Sequence, residues 1–223
     1  MHAIFLEELE KLNKRFIDLG LQVSEQIYLA TKSFIDHDRD LAKQVIETDQ
    51  KINDRQIAIV EESLKLIALQ QPVATDFRKI IAISNASTDL ERLSDHAESI
   101  ARETIRVKGE QRIIQIETEI EAMALQVRRM LEQVLEAYLR GDQDLARDIA
   151  RLDTEVDRRH HQLYNLIVGA MKRDAKTVTA DTSYLTVIRL LERIGDHIIN
   201  VAEWVIYRET GKITELAFKE DSK

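Results

Sequence analysis

Leu90-Glu91-Arg92-Leu93-Ser94-Asp95-His96 and Leu191-Glu192-Arg193-Ile194-Gly195-Asp196-His197 are one heptapeptide written twice, 101 positions apart. Two more pairs repeat at an offset of 104: Leu21-Gln22-Val23 with Leu125-Gln126-Val127, and Asp38-Arg39-Asp40-Leu41-Ala42-Lys43 with Asp142-Gln143-Asp144-Leu145-Ala146-Arg147. Generic amphipathic helices share Leu and Ala, but not Glu-Arg-x-x-Asp-His, so the chain is an internal duplication. The change of offset implies connections of different length, expected to be three residues longer in the second copy.

Working outward from the heptapeptide, apolar residues recur at steps of three and four. Leu9, Leu12, Phe16, Leu19, Val23, Ile27 and Phe34 mark a first helix over Phe5–Ile35. Asp38 caps a second, carrying Leu41, Val45, Ile52, Ile59, Leu66 and Leu69 and ending at Gln70-Gln71-Pro72. Pro72 opens a third, with Phe77, Ile80, Ile83, Leu90, Leu93, Ala97 and Ile100 on one side and Gly109 as its C-cap. The second copy gives helices over 111–140, ended by Gly141; from Asp142 to Arg173-Asp174; and over 180–209, ended by Thr210-Gly211. The fold class is therefore all-α: two tandem three-helix bundles of long antiparallel helices, with arms of about 30 residues or roughly 45 Å. Residues 1–108 and 109–212 are the expected repeats, and 213–223 a polar, flexible tail.

Composition agrees. Among 223 residues there are one proline and six glycines, too few for the turns of a sandwich or barrel. Hydrophobic residues make up 44%, enough for a real core. Cysteine is absent, which excludes disulfides, thiolate metal sites and a cysteine nucleophile. The opening Met1-His2-Ala3-Ile4-Phe5-Leu6-Glu7-Glu8 turns acidic too soon for a signal peptide, and no apolar run reaches the roughly 18–20 residues of a membrane span. A cytoplasmic location is expected. With 32 Lys+Arg against 40 Asp+Glu the net charge is −8, which argues against a nucleic-acid partner.

The acids of the heptapeptide are the candidate site. Glu91 and Asp95, like Glu192 and Asp196, lie four apart and so on one helix face, a repulsive spacing that Arg92 and Arg193 or a bound cation would offset. The preceding helices carry Asp49 and Asn53, and Asp153 and Asp157, also four apart. The pairs 49/95 and 53/91 share the midpoint 72, the turn proline; 153/196 and 157/192 share 174.5, inside Arg173-Asp174-Ala175-Lys176. In an antiparallel hairpin each pair is therefore level, and four oxygen-bearing side chains converge per hairpin. Such sets favour hard cations, Mg, Ca, Mn or iron, and can bridge several ions. His160, three after Asp157, falls on the same face. The alternative is a solvated acidic stripe, for Ser84, Thr88, Glu91, Asp95 and Glu98 share one face; it is weaker for helix six, where Ile188 and Ile199 flank the acids.

Other residues have plainer roles. His96 and His197 sit one residue past an acid, about 100° round the helix, which suits flanking better than ligation. Trp204, Tyr207 and Tyr164 read as core or groove residues. There is no glycine-rich phosphate loop, nucleophile elbow or serine triad.

The doubled Leu-Glu-Arg-x-x-Asp, the Gln71-Pro72-Val73-Ala74-Thr75-Asp76-Phe77-Arg78 turn and Asp49-Gln50-Lys51-Ile52-Asn53 together resemble the PhoU family, over essentially the whole chain. The resemblance implies multinuclear metal clusters on the surface of two three-helix bundles, held by Asp49, Glu91, Asp95, Asp153, Asp157, Glu192 and Asp196, with iron, manganese, magnesium or zinc as the metal. Asn53 departs from the pattern where a fourth acid would complete the first set. It further implies a non-enzymatic regulator of phosphate uptake: a homodimeric adaptor between the ATPase subunit of a phosphate ABC transporter and a membrane histidine kinase, repressing the phosphate-starvation response. Two other classes are set beside it. A ferritin-like oxidoreductase or iron store needs Glu-x-x-His on two helices; Asp157-x-x-His160 approximates one, but the first copy has Asn53-x-x-Gln56. A purely structural helical scaffold would bind neither metal nor transporter.

Overall fold

The computed structural model describes residues 2–107, 109–110 and 112–216, and the side chains of all of these but 2, 3 and 175. Six long helices follow in order: α1 (His2–Ile35), α2 (Arg39–Gln70), α3 (Ala74–Arg106), α4 (Ile114–Arg140), α5 (Gln143–Arg173) and α6 (Val178–Thr210), with one 3₁₀ turn, Ala175–Thr177, before α6.

The punctuation follows the residues that were available for it. Asp38 and Asp142 each accept two backbone N–H bonds of about 3.0 Å, from Asp40 and Leu41 and from Asp144 and Leu145, so both outer helices start on a side-chain cap. Gly141 ends α4 in the left-handed region at φ 63°, a conformation that costs L-residues 1–2 kcal/mol and glycine nothing. Its counterpart in the first repeat is His37, held at φ 54°. Two expected boundaries shift. Gly109 is not a C-cap: α3 ends at Arg106 with Val107 as its cap, and Gly109 sits in the connection beyond, at φ 85°. Pro72 does not open α3, which starts at Ala74 after a β-conformation Val73.

The duplication is not longer in its second copy but shorter. Asp38 to Leu90 spans 52 positions and Asp142 to Leu191 spans 49. The difference falls in α6: Asp95 stands 21 residues beyond the first residue of α3, Asp196 only 18 beyond that of α6.

Within each repeat the three helices pack on one another; between repeats α1 packs on α4 and α3 on α6. The inner helices thus close a ring, α1–α3–α6–α4, while α2 and α5 lie outside it and each touches only its own repeat. Phe16 meets Tyr138 and Tyr28 meets Arg128, so α1 and α4 run antiparallel. His96 meets His197 and Asp89 meets Trp204, so α3 and α6 do too. One continuous core spans both repeats, each buried Leu, Ile or Val contributing about 1.5–3 kcal/mol. The α1 stripe is buried throughout, as is the seven-residue ladder Val45, Ile52, Ile59 and Leu66 of α2, a spacing that keeps one seam facing its neighbours. Leu69 and Phe77, expected on the buried stripes of α2 and α3, are exposed close to the α2–α3 turn.

Candidate functional site

The register of each hairpin is visible in its cross-helix contacts. In the first repeat, Ser94 Oγ donates to Asp49 Oδ1 at 2.7 Å and Gln56 Nε2 to Thr88 Oγ1 at 3.1 Å. That register sets Asp49 level with Asp95 and half-buried Asn53 level with Glu91. In the second, a Cβ on Gly195 would lie 2.8 Å from Asp153 Oδ1, and His160 Nδ1 is 3.6 Å from Glu192 Oε1. So Asp153 lies beside Asp196's helix turn, and His160 reaches Glu192.

The two sets differ in how their charge is met. Asp49, Glu91 and Asp95 are partly buried. Burial pushes Asp49 up, the Ser94 hydroxyl pulls it back, and Glu98 and Asp95 push again. Burial, then Asp95, raises Glu91. Asp153 has no hydroxyl facing it: burial first, then Asp157, Asp196 and Glu192, drive its carboxyl up to about 7. Asp157 and Asp196 are themselves exposed. Arginines meet part of this charge, Arg92 lying 3.1 Å from Asp95 and 3.7 Å from Glu91, and Arg193 3.2 Å from Asp196. Glu98, absent from the predicted set, faces Asp49 and pairs with Arg102.

These donors are carboxylate and amide oxygens with one imidazole, the chemistry of a hard-cation site. The repulsion from Asp157, Asp196 and Glu192 that adds to burial in lifting Asp153 is what a cation would relieve. In the rotamers seen, however, no group of three or more His, Asp or Glu side chains among the described residues is drawn together as an ion-holding set.

Two functional-looking clusters went unread in the sequence. Asp89 accepts from His197 Nδ1 (3.0 Å), Asn200 Nδ2 (3.0 Å) and Trp204 Nε1 (3.2 Å), all across the α3–α6 contact. Its counterpart in the second repeat is Leu190, and that polar-for-apolar change beside the shared heptapeptide was the available signal. Glu117 is buried at the start of α4, where Arg112 (3.0 and 2.8 Å), His37 Nε2 (2.8 Å) and Tyr184 OH (2.9 Å) surround it. Burial alone would raise its pKa, but these three donors hold it below the usual carboxylate value. Trp204 packs at the core's edge and Tyr207 stands against it, while Tyr164 is exposed rather than in a groove.

Fold and site together define a class: a duplicated all-α protein with one acidic motif per repeat, set at one level of each hairpin. A PhoU domain is matched over residues 16–104 and again over 120–205. The chain is 37% identical over 207 residues to the phosphate-specific transport system accessory protein PhoU homolog of Pseudomonas aeruginosa, covering 93% of this chain and 86% of that one. It is 33% identical over 208 residues to the PhoU accessory protein of Escherichia coli, covering 93% and 86%. Crystal structures of PhoU from Streptococcus pneumoniae (32% identity, 94% and 99% covered) and from P. aeruginosa (37%, 93% and 100%) each superpose with a TM-score of 0.88. The chain belongs to the PhoU family, whose members are non-enzymatic accessory regulators of phosphate transport. That membership removes the ferritin-like oxidoreductase. No helix among the described residues is long and apolar enough to cross a membrane.

Proposed function

We propose that this protein is a cytoplasmic, homodimeric adaptor that joins the ATPase subunit of a phosphate ABC transporter to a membrane sensor histidine kinase and holds the phosphate-starvation response off when phosphate is plentiful. The observation that carries this is the near-complete overlap with PhoU accessory proteins, through both repeats. The accessory role of those relatives in phosphate-specific transport is what supports the transporter as partner. The repeats are joined through α1, α3, α4 and α6, so α2 and α5 take no part in that joint and their outward sides are open to partners.

As part of the same proposal, Asp49, Asn53, Glu91 and Asp95 hold one metal centre and Asp153, Asp157, Glu192 and Asp196 a second, with His160 at the second centre's edge. Iron, manganese, magnesium or zinc would each supply positive charge to neutralise clusters that otherwise repel. Arg92 and Arg193 serve as the internal counter-charges when the acids are not otherwise engaged.

The test is affinity purification of the tagged full chain from cells fed with phosphate and from starved cells. The ATPase subunit and the kinase should both co-purify from fed cells; recovery of neither would overturn the adaptor assignment. Metal analysis of protein purified without chelator addresses the centres separately, and a metal-free preparation that takes up none of the four ions would remove them.

A further inference from the structure

The antiparallel packing of α3 on α6 brings the two copies of the heptapeptide face to face at their histidines. His96 and His197 occupy equivalent positions in the two repeats, and their rings lie 5.5 Å apart between centroids, tilted by 39°. The pair therefore sits on the axis that relates one repeat to the other. We propose that His96 and His197 form a third metal site, shared by the two repeats and selective for a borderline divalent transition ion such as Zn²⁺, Co²⁺ or Ni²⁺.

The spacing is the first ground. Two imidazoles sharing one ion, each nitrogen at about 2.0–2.1 Å and subtending roughly 110–120°, have ring centroids about 5.2–5.5 Å apart. The rings already stand at that distance, so ligation asks for rotation of the His96 ring at the existing helix spacing. The second ground is orientation. Metal-binding histidines characteristically give their other ring nitrogen to a carboxylate or carbonyl, which fixes the tautomer and raises ligand basicity. His197 does this, its Nδ1 lying 3.0 Å from Asp89 Oδ1, which directs its lone pair to Nε2. Asp89 is in turn fixed by Asn200 at 3.0 Å and Trp204 at 3.2 Å, so the ring is held by a carboxylate that is itself held. Only one repeat carries this brace, since Leu190 replaces Asp89 in the other. Carboxylates and guanidiniums both face the pair: Glu91 lies within electrostatic reach of His197, and Asp95, Arg92 and Arg193 within reach of His96. With two protein ligands the site is open, its remaining positions falling to water. A pair of imidazole nitrogens separates it in chemistry from the first set, which is all oxygen, and from the second, where oxygens outnumber the single His160.

The proposal stands apart from the adaptor role and from the carboxylate centres. Its test is titration of the metal-free full chain with Co²⁺ in excess Mg²⁺, which occupies oxygen sites, following the visible bands of nitrogen-ligated four- or five-coordinate cobalt. One Co²⁺ per chain should bind and be displaced by Zn²⁺. His96→Ala and His197→Ala should each weaken binding at least tenfold, and Asp89→Asn by about 10- to 100-fold. Glu192→Gln with Asp196→Asn should leave it within threefold. Unchanged Co²⁺ affinity in the His96→Ala and Asp89→Asn variants would overturn the site, as would its loss in the carboxylate variant with the histidines intact. Helical circular dichroism of each variant identifies any that fails to fold. Should His197→Ala fail, His96→Ala and Asp89→Asn decide the matter, each leaving the His197 ring in place.

Discussion

The hydroxyl of Ser94 donates a 2.7 Å hydrogen bond to the carboxylate of Asp49 across the α2–α3 hairpin. Ser94 is fully buried and Asp49 partly so. In the second repeat the same place is Gly195, which can offer no such donor and lets Asp153 approach its backbone instead. The Ser94 side chain thus adds to the difference already made by Asn53, where the second repeat has Asp157.

Ser94→Ala should therefore make the first repeat behave like the second. A carboxylate deprived of its donor loses about 1–3 kcal/mol, here toward the lower end because Asp49 keeps some solvent. The hydrogen bond favours the charged form, so its loss is felt where Asp49 is ionised and fades as pH falls through the carboxylate range. Denaturant melts should show Ser94→Ala less stable by about 1 kcal/mol at pH 7.5, with a clearly smaller difference at pH 4. A difference that does not change with pH would mean that the serine acts by packing alone.

Asp153 gives the opposite sign. Its folded-state carboxyl, at about 7, stands above the roughly 3.9 of an unfolded chain. Between those values the folded protein holds a proton that the unfolded one has released. The contribution to stability is therefore complete below about pH 4 and lost as pH rises through 7. With allowance for solvent, the loss amounts to about 1–2 kcal/mol. Asp153→Asn, which cannot ionise, should be more stable than the parent at pH 8 in chelator, by about 2–8 °C in Tm, and should gain nothing at pH 4.5. A parent protein that melts higher than Asp153→Asn at pH 8 without metal would contradict this.

How far the sequence reached is clear from these residues. The six helices were legible because apolar residues recur on a helical period and Asp38, Asp142, Gly141 and Gly211 mark the ends chemically. The level of Asp49 against Asp95 was legible because a hairpin's register follows from where it turns. The meeting of His96 with His197 was not, since it depends on how α3 and α6 dock, and neither helix carries a sign of its partner. Asp89 was hidden for the same reason: its three donors all come from α6. Leu69 and Phe77 fit the period of a buried stripe yet stand exposed near the α2–α3 turn, because periodicity does not fix how closely each position is covered.

The two acid sets should differ in affinity for a divalent ion. The second presents four carboxylates, and Asp153 is raised by burial and then by its acidic neighbours; the first has Asn53 in place of an acid and Ser94 already bonded to Asp49. A cation gains more where more charge is unrelieved. Calorimetric titration with Mn²⁺ should find that Asp153→Ala with Asp196→Ala removes the tighter phase, and that Asp49→Ala with Asp95→Ala removes the weaker. Equal residual binding in the two double variants would contradict the ranking.

Glu117 carries a last prediction, about the joint between repeats rather than the site. Its side chain collects donors from the α1–α2 turn through His37, from the connection through Arg112 and from α6 through Tyr184. Tyr184 also accepts the backbone N–H of Ile113 at 3.1 Å, so the start of α4 is fastened at two points. The carboxylate offsets the left-handed strain of His37, which is placed where the other repeat has glycine. Glu117→Ala removes the acceptor and leaves a guanidinium, an imidazole and a phenol without it. Loss of one partner of a buried ion pair costs about 3–5 kcal/mol, and the exposure of Arg112 reduces this to about 2–3. At 2–4 °C per kcal/mol for a chain of this size, Tm should fall by about 4–12 °C. His37→Gly in the Glu117→Ala background should recover part of the loss by relieving the strained turn, and no recovery would show that His37 is held at no cost.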